Sequence, residues 1–404
     1  MHAFPRETGP TAPTGGEMIV YQDPEEDKVL KELNARSDFD ALRLKRLLAL
    51  PDLTRVPNSP IKFVLDAILA LPLFAGFDVA QIPETIGVHD AFDRFDFPSD
   101  HPSRRETDTY FVARDRILRT HTTSMWLYYL ADPETQQTLA RRGWVGELAF
   151  GKVYRKDEID RKHFPVFHQI DGLYLVKRSE KVIGLTDLQE VLSHIVKSVF
   201  GQSIEYRFLD DTFPFTDPST QIEIKFPALS QDSGKGDDWL EVVGAGVVRA
   251  STLEHLGVDS KIYNGWAFGF GVERLAMQQM QIPDIRVLWS DDPRITKQFT
   301  GLGSRYEEVS KYPAVIRDIS FVVARTVVPN RFYDIVRELG GNLVEQVEPI
   351  DEYENDAKLG AGKKSYTFRI VYRSFERTLT NDEVNVIHRN IEDLTKQDLG
   401  AVIR

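Results

Sequence analysis

Apolar positions along the chain keep two periods. Over 25–50, Leu30, Leu33, Leu42, Leu44, Leu47 and Leu48 recur at roughly helical spacing, which predicts one helix closed by Pro51 and Pro57. A second helix is expected over 60–70, ended by Pro72 and Gly76. Strand-like runs at 147–155 and 167–176 flank the polar stretch 156–165 and predict a hairpin with a charged tip. Thr186 with Gln189 predicts a capping box for a helix that Gly201 stops. Further strands are expected over 221–226 and 239–248, and 267–271 runs into a helix over 272–280. Strands joined by hairpins, with few helices between them, point to an α+β fold built on an antiparallel sheet.

The last hundred residues have their own order. A strand over 314–323, a helix over 330–339 and strands over 343–353 and 365–372 come first. A helix opened by Thr380 and Glu383 runs to about 397, and a last strand is expected over 401–404. The order βαββαβ is the ferredoxin-like split unit. Residues 1–17, rich in Pro, Gly and Thr, are expected to be disordered.

Composition narrows the function. At about 150 residues per domain, 404 residues suggest two or three domains. No run reaches the ~18 apolar residues of a membrane span. A formal charge of −12 argues against a general nucleic-acid coat but leaves room for a local basic groove. The absence of cysteine excludes disulfides, Cys-ligated zinc, Fe–S clusters and a Cys nucleophile. The N-terminus, polar and then acidic, reads as neither a secretory signal nor a transit peptide, so a soluble intracellular protein is expected.

Three segments could carry chemistry. The hairpin tip packs cations, carboxylates and His163 into a few residues, with Arg155 at the end of the apolar strand. That suits a nucleoside triphosphate, whose phosphates cations bind and whose Mg²⁺ carboxylates hold; it also suits an ordinary solvated turn. On the return strand Phe167, Gln169 and Asp171 alternate onto one face, which looks like a site floor. Gly269 and Gly271 precede Arg274, a turn that lets a ligand lie against backbone, or simply packs. Phe213 and Phe215 could clamp an aromatic ligand or plug a core.

Together these blocks resemble a known family. Asp100-His-Pro-Ser-Arg104, Thr120-His121-Thr122-Thr123, Val153-Tyr-Arg155 and His163-Phe-Pro-Val-Phe167-His-Gln169 are among the blocks that look like phenylalanyl-tRNA synthetase, a class II aminoacyl-tRNA synthetase. So are Phe213-Pro-Phe215-Thr216, Trp239-Leu-Glu241-Val-Val-Gly-Ala-Gly246 and Gly265-Trp-Ala267-Phe-Gly-Phe-Gly-Val-Glu-Arg274. Lys311-Tyr-Pro-Ala-Val-Ile-Arg-Asp-Ile-Ser-Phe321 and Tyr372-Arg-Ser-Phe-Glu-Arg-Thr-Leu-Thr380 resemble its ferredoxin-fold anticodon-binding domain. That domain is fused to the catalytic one in the mitochondrial, monomeric type.

The resemblance implies a class II antiparallel sheet with flanking helices, plus a C-terminal ferredoxin-like domain. It implies a catalytic domain over 77–290, a linker over 291–309 and an anticodon-binding domain over 310–404, with 1–76 unassigned. Arg155 and Arg274 would be catalytic and bind ATP with Asp157, His163, Phe167 and Glu241, Glu241 doubling as a ligand of Mg²⁺. His121, Thr123, Gln169 and Asp171 would hold the amino-acid ends, with Phe213, Phe215 and Ala267 around the ring. Serine is common where Thr123 stands and glutamate where Asp171 stands, so the acid here is one methylene shorter. Lys363, Arg369, Arg373 and Arg377 are the candidate tRNA contacts, although 305–404 holds 15 Lys and Arg against 17 Asp and Glu. The expected partners are phenylalanine and tRNA(Phe), with no membrane, in the cytoplasm of a bacterium or the matrix of an organelle. The rival readings are a non-catalytic paralogue that binds tRNA or phenylalanine, and an adenylate-forming ligase for another small substrate.

Overall fold

A computed structural model describes residues 4–156, 158, 160–225, 239–309 and 312–404. The chain divides into two compact units. The first takes 1–155, 166–283 and 299–305; the second takes 156–165, 284–298 and 306–404. Among the described residues no helix is long and apolar enough to cross a membrane.

The first unit opens with β1 (Arg6–Thr11) and β2 (Glu17–Tyr21), an antiparallel hairpin. The disorder expected for 1–17 is therefore corrected over this stretch. Polar residues there pair by backbone, and Ala12, Ile19 and Tyr21 are its buried apolar residues. The single helix expected over 25–50 is also corrected. It is two: α1 (Pro24–Ala35) and α2 (Phe39–Ala49). The side chain of Asp38 accepts from the N–H of Ala41, so it starts a new helix where the leucine period carries straight on. Next, α3 (Pro60–Leu69) is capped by Ser59.

A nine-stranded sheet forms the frame. Its further strands are β3 (Asp78–Gln81), β4 (Trp144–Tyr154), β5 (Val166–Lys177), β6 (Tyr206–Phe213), β7 (Thr216–Lys225), β8 (Trp239–Val248) and β9 (Tyr263–Gly271). The order is β1-β2-β3-β4-β5-β9-β8-β7-β6. Every pair is antiparallel except β2–β3 and β3–β4. One sheet face packs under α4 (Met125–Ala131), all of whose residues are buried. On α5 (Leu185–Phe200) the expected box is corrected: Asp187, not Gln189, turns back, accepting from the N–H of Gly184 at 2.9 Å. The helix α6 (Val272–Met280) follows β9 without a break.

The second unit is the ferredoxin-like order read from the sequence. It runs β10 (Val315–Ala324), α7 (Asn330–Gly340), β11 (Val344–Glu354), β12 (Lys363–Tyr372), α8 (Asn381–Leu399) and β13 (Val402–Ile403). The sheet order is β11-β12-β10-β13. Phe321, Phe332, Phe368 and Tyr372 fill its core. Both halves of the Thr380–Glu383 box form: the Glu383 N–H donates to Thr380 Oγ1, and the Thr380 N–H donates to Glu383 Oε2 at 3.0 Å. Thr380→Ala removes one half and should destabilise the protein by about 1 kcal/mol. An unchanged urea midpoint for the unfolding of the second unit would contradict this.

Candidate active site

Strand register makes the cavity. Across the sheet, Ala149, Asp171, Gly269 and Gly244 lie side by side on β4, β5, β9 and β8. In the next row stand Leu173, Ala267 and Gly246. Small residues beside Asp171 leave a hollow on a face otherwise covered by helix. It is a cavity of about 310 Å³. A side chain at Gly269 would meet the Asp171 carboxylate at 2.6 Å, and one at Gly244 would meet the Phe213 ring at 2.5 Å. Glycine is needed at both places by close approach.

The floor of the cavity is an acid. Asp171 is 2% exposed and has no ion pair among the described residues. The hydroxyl of Thr123 donates to it at 2.8 Å, and that of Thr122 lies at 3.4 Å. Burial pushes its carboxyl up to about 7, while Thr123, Trp126 and Thr122 pull it back toward the charged form. Beside it, Gln169 accepts from the N–H of Thr122 at 3.1 Å, which fixes its amide.

His121 lies flat against Phe97, with centroids 5.7 Å apart and planes 2° apart. Burial, then the nearby charge of Arg155, pushes its imidazole down to about 3. The ring is therefore neutral at physiological pH, and neither nitrogen has a partner among the described residues. On the far wall Phe213 and Phe215 stack at 6.2 Å and 20°. Phe213 ends β6, and Phe215 is the second residue of the two-residue turn to β7. Phe97 packs against Phe215 at 5.9 Å.

Arg155 follows the last residue of β4 and lines the same cavity. Its Nε donates to the carbonyl of Thr120 at 3.0 Å, and its guanidinium lies 5.2 Å from the Phe167 ring centre. The fork is held before any ligand arrives. Arg274, exposed on the first turn of α6, donates to the carbonyl of Glu241 at 2.9 Å. Glu241 is exposed on β8 opposite Glu223, which Arg207 holds at 2.7 Å. No group of three His, Cys, Asp or Glu that could hold a metal occurs among the described residues.

Of the residues singled out from the sequence, His121, Thr123, Arg155, Gln169, Asp171, Phe213, Phe215 and Ala267 all line this one cavity. Phe167 stands on β5, Glu241 on β8 and Arg274 on the first turn of α6. Asp157 lies outside the described residues. His163 groups with the second unit, where its ring pairs with Asp160 at 2.9 Å.

Sequence reasoning missed several supports. His168 points away from the cavity, and its Nε2 accepts from the N–H of Leu53, so its Nδ1–H donates to buried Glu273 at 2.6 Å. The Glu273 carboxylate also takes the N–H of His168 at 2.9 Å. This clasp ties α6 to β5 one residue from both Phe167 and Gln169. The alternation of β5 and the Val272-Glu-Arg274 run were its only signals. Phe97 and Trp126 were also missed, since apolar residues in a loop or a buried helix give no sign of the cavity they face.

In the second unit the candidate tRNA contacts are engaged. Arg369 bonds Asp318 at 2.9 and 3.0 Å. Arg373 bonds the buried Glu345 at 2.5 Å and the carbonyl of Tyr312 at 2.9 Å. Arg377 bonds Glu383 at 2.6 and 2.9 Å. Lys363 is exposed at the start of β12.

Antiparallel strands, a strand-borne arginine and a second arginine after a strand-to-helix turn define a class II aminoacyl-tRNA synthetase. Residues 48–299 match the family of tRNA synthetases class II core domain (F), and 310–404 match the ferredoxin-fold anticodon binding domain. The core match begins at 48, ahead of the residue near 77 where motif resemblance starts. The chain is 37% identical to the mitochondrial phenylalanine–tRNA ligase of Mus musculus, covering 82% of this chain and 75% of that protein. It is 38% identical to the chloroplastic/mitochondrial phenylalanine–tRNA ligase of Arabidopsis thaliana, covering 78% and 70%. The chain belongs to the phenylalanine–tRNA ligase family.

One consequence concerns pH. An ammonium needs Asp171 charged, and the carboxyl of the free protein loses its charge as pH falls through about 7. Affinity for phenylalanine should fall toward about tenfold per pH unit below that midpoint, with little change above it until the substrate ammonium itself titrates. Binding measured by calorimetry from pH 5.5 to pH 8.5 checks this; a flat profile would contradict it.

Proposed function

We propose how this chain activates L-phenylalanine with ATP and passes the phenylalanyl group to the terminal ribose of tRNA(Phe). The observation that carries the reading is one cavity with an acid floor, an aromatic clamp and a fixed arginine at the same lining. The ammonium of phenylalanine lies on Asp171 and Thr123, with Gln169 and neutral His121 alongside. The ring lies between the Phe213–Phe215 pair and the small end made by Ala267. The carboxylate then faces Arg155.

That carboxylate attacks the α-phosphorus of ATP in line, and pyrophosphate leaves. No side chain need form a bond. The chain's work is to hold two anions together and to meet charge as it builds. Arg155 does both, since its planar fork is already fixed. Adenine lies between Phe167 and Arg274. In the second step a ribose hydroxyl of the tRNA attacks the acyl carbon, and AMP leaves.

The residues present fit Mg²⁺ of the kind held mainly by phosphate oxygens and water, with one protein carboxylate. Glu241 is that carboxylate, because Glu223 is committed to Arg207. When bound, the ion neutralises phosphate charge. Lys363, Arg369, Arg373 and Arg377 are proposed to meet tRNA, and each arginine would exchange a carboxylate for a phosphate. A place in an organelle matrix is supported by the mitochondrial names of the relatives, and the chain is proposed to work as a monomer.

Arg155→Ala should lower phenylalanine-dependent ATP–pyrophosphate exchange by about 10³-fold while leaving the circular dichroism spectrum unchanged. Near-normal exchange would remove Arg155 from the reaction. Ala267→Gly deletes a methyl at the small end of the slot. It should raise exchange with para-chlorophenylalanine about tenfold relative to phenylalanine; unchanged discrimination would show that Ala267 does not face the para position.

A further inference from the structure

The cavity wall carries a buried donor that the reaction above does not use. Trp126, in the second position of α4, is fully buried, and it lines the cavity. Phe95 and Phe215 meet its ring edge-on, at 5.6 Å each and at 61° and 89°. An indole held between two rings has little freedom to swing. Its N–H has no hydrogen-bond partner among the described residues. Such buried donors are rare in folded proteins and call for an explanation. Asp171 is the acceptor within its influence, since the indole N–H favours the charged form of that carboxyl. Bonds in a ligand-free site are often long and close only when substrate binds.

We propose that Trp126 is a positioning residue for phenylalanine: its indole N–H closes on the Asp171 carboxylate once that group ionises, holding it charged and aimed at the substrate ammonium. The inference rests on the phenylalanine reading of the cavity. It gives the shorter acid a third donor beside Thr122 and Thr123. It also couples the two ends of the substrate, because the ring that Phe215 wedges carries the donor that serves Asp171.

The other titratable groups around Asp171 do not substitute for this donor. His121 on the turn before α4 is neutral. Glu147 on β4 is held well above the carboxylate range by burial and then by Asp78, Asp171 and Asp132, and it supplies no cation. Arg155 at the end of β4 is engaged with Thr120. From β9 the neighbour is Gly269, which has no side chain.

The test is ATP–pyrophosphate exchange by the full chain between about pH 6 and pH 8.5, with wild type, Trp126→Phe and Trp126→Gln. Phenylalanine at this position keeps a ring and loses the N–H. The acid limb of kcat/KM for phenylalanine should then move up by about one pH unit. KM for phenylalanine should rise about fivefold near pH 7 and return close to wild type near pH 8.5. KM for ATP should not move. Glutamine supplies an N–H without the ring and should bring the limb back toward wild type. An equal rise in KM at every pH, or an unmoved limb in the phenylalanine variant, overturns the proposal. If that variant does not fold, a glutamine variant whose limb moves up by a full unit overturns it as well. A wild-type chain with no phenylalanine-dependent exchange overturns the reading of the cavity, and the inference falls with it.

Discussion

A carboxyl group buried without a cation beside it is the constraint around which the catalytic unit is arranged. Ionising such a group away from water costs several kcal/mol, and two threonine hydroxyls offset only part of that. The site is thus short of one positive charge, which under the proposed reading a substrate ammonium supplies. For that to work, the acid must stay dry and still have space above it. Both needs are met by register. Asp171 faces inward under the helical layer, while its neighbours across β9 and β8 are Gly269 and Gly244. A methyl group at Gly269 would strike the carboxylate itself. The hollow is therefore a property of strand pairing, not of a loop that could close or open.

The same economy holds at the phosphate end. Arg155 is at once a strand terminus, a partner of the Thr120 carbonyl and a cation over the Phe167 ring. Two contacts of modest strength fix one long side chain before substrate arrives, so less rotamer entropy is lost on binding. Behind it, the buried His168–Glu273 clasp joins β5 to α6. Arg274 follows Glu273 directly in sequence, so the position of the second arginine is tied to the strand that carries Phe167 and Gln169.

How much of this could be read in advance depended on what each residue reports about its surroundings. The floor was legible because a strand has a period of two: Phe167, Gln169 and Asp171 had to share a face. The βαββαβ order was legible because its caps and periods agree. Where local and tertiary preferences part, reading failed. The leucine spacing of 25–50 runs on through Arg36 and Ser37, yet Asp38 caps a fresh helix there. The first strands carry Pro, Gly and Thr, and their pairing is decided by backbone bonds that composition does not show. Trp126 and Glu273 were invisible as site residues for a related reason. Nothing in a run such as Met125-Trp-Leu-Tyr-Tyr-Leu130 says which ring will face a cavity.

The second unit meets a different electrostatic condition. Arg369 on β12 and Arg373 just past its end alternate with the core-forming Phe368, Ile370 and Tyr372. That run would look basic from sequence, but Asp318 and Glu345 neutralise it residue by residue. Under the proposed role, a phosphate arriving there gains a cation only by displacing a carboxylate. The two carboxylates are not equivalent. Asp318 is half exposed and can return to water at little cost, since surface pairs contribute only about 0–1 kcal/mol. Glu345 is buried, and Arg161, from the hairpin tip, also holds it. Releasing Arg373 would take from Glu345 one of its two ion pairs in a dry setting, which costs more. Of the two arginines, Arg369 is therefore the one that RNA could recruit more cheaply, while Arg373 serves first to keep Glu345 compensated.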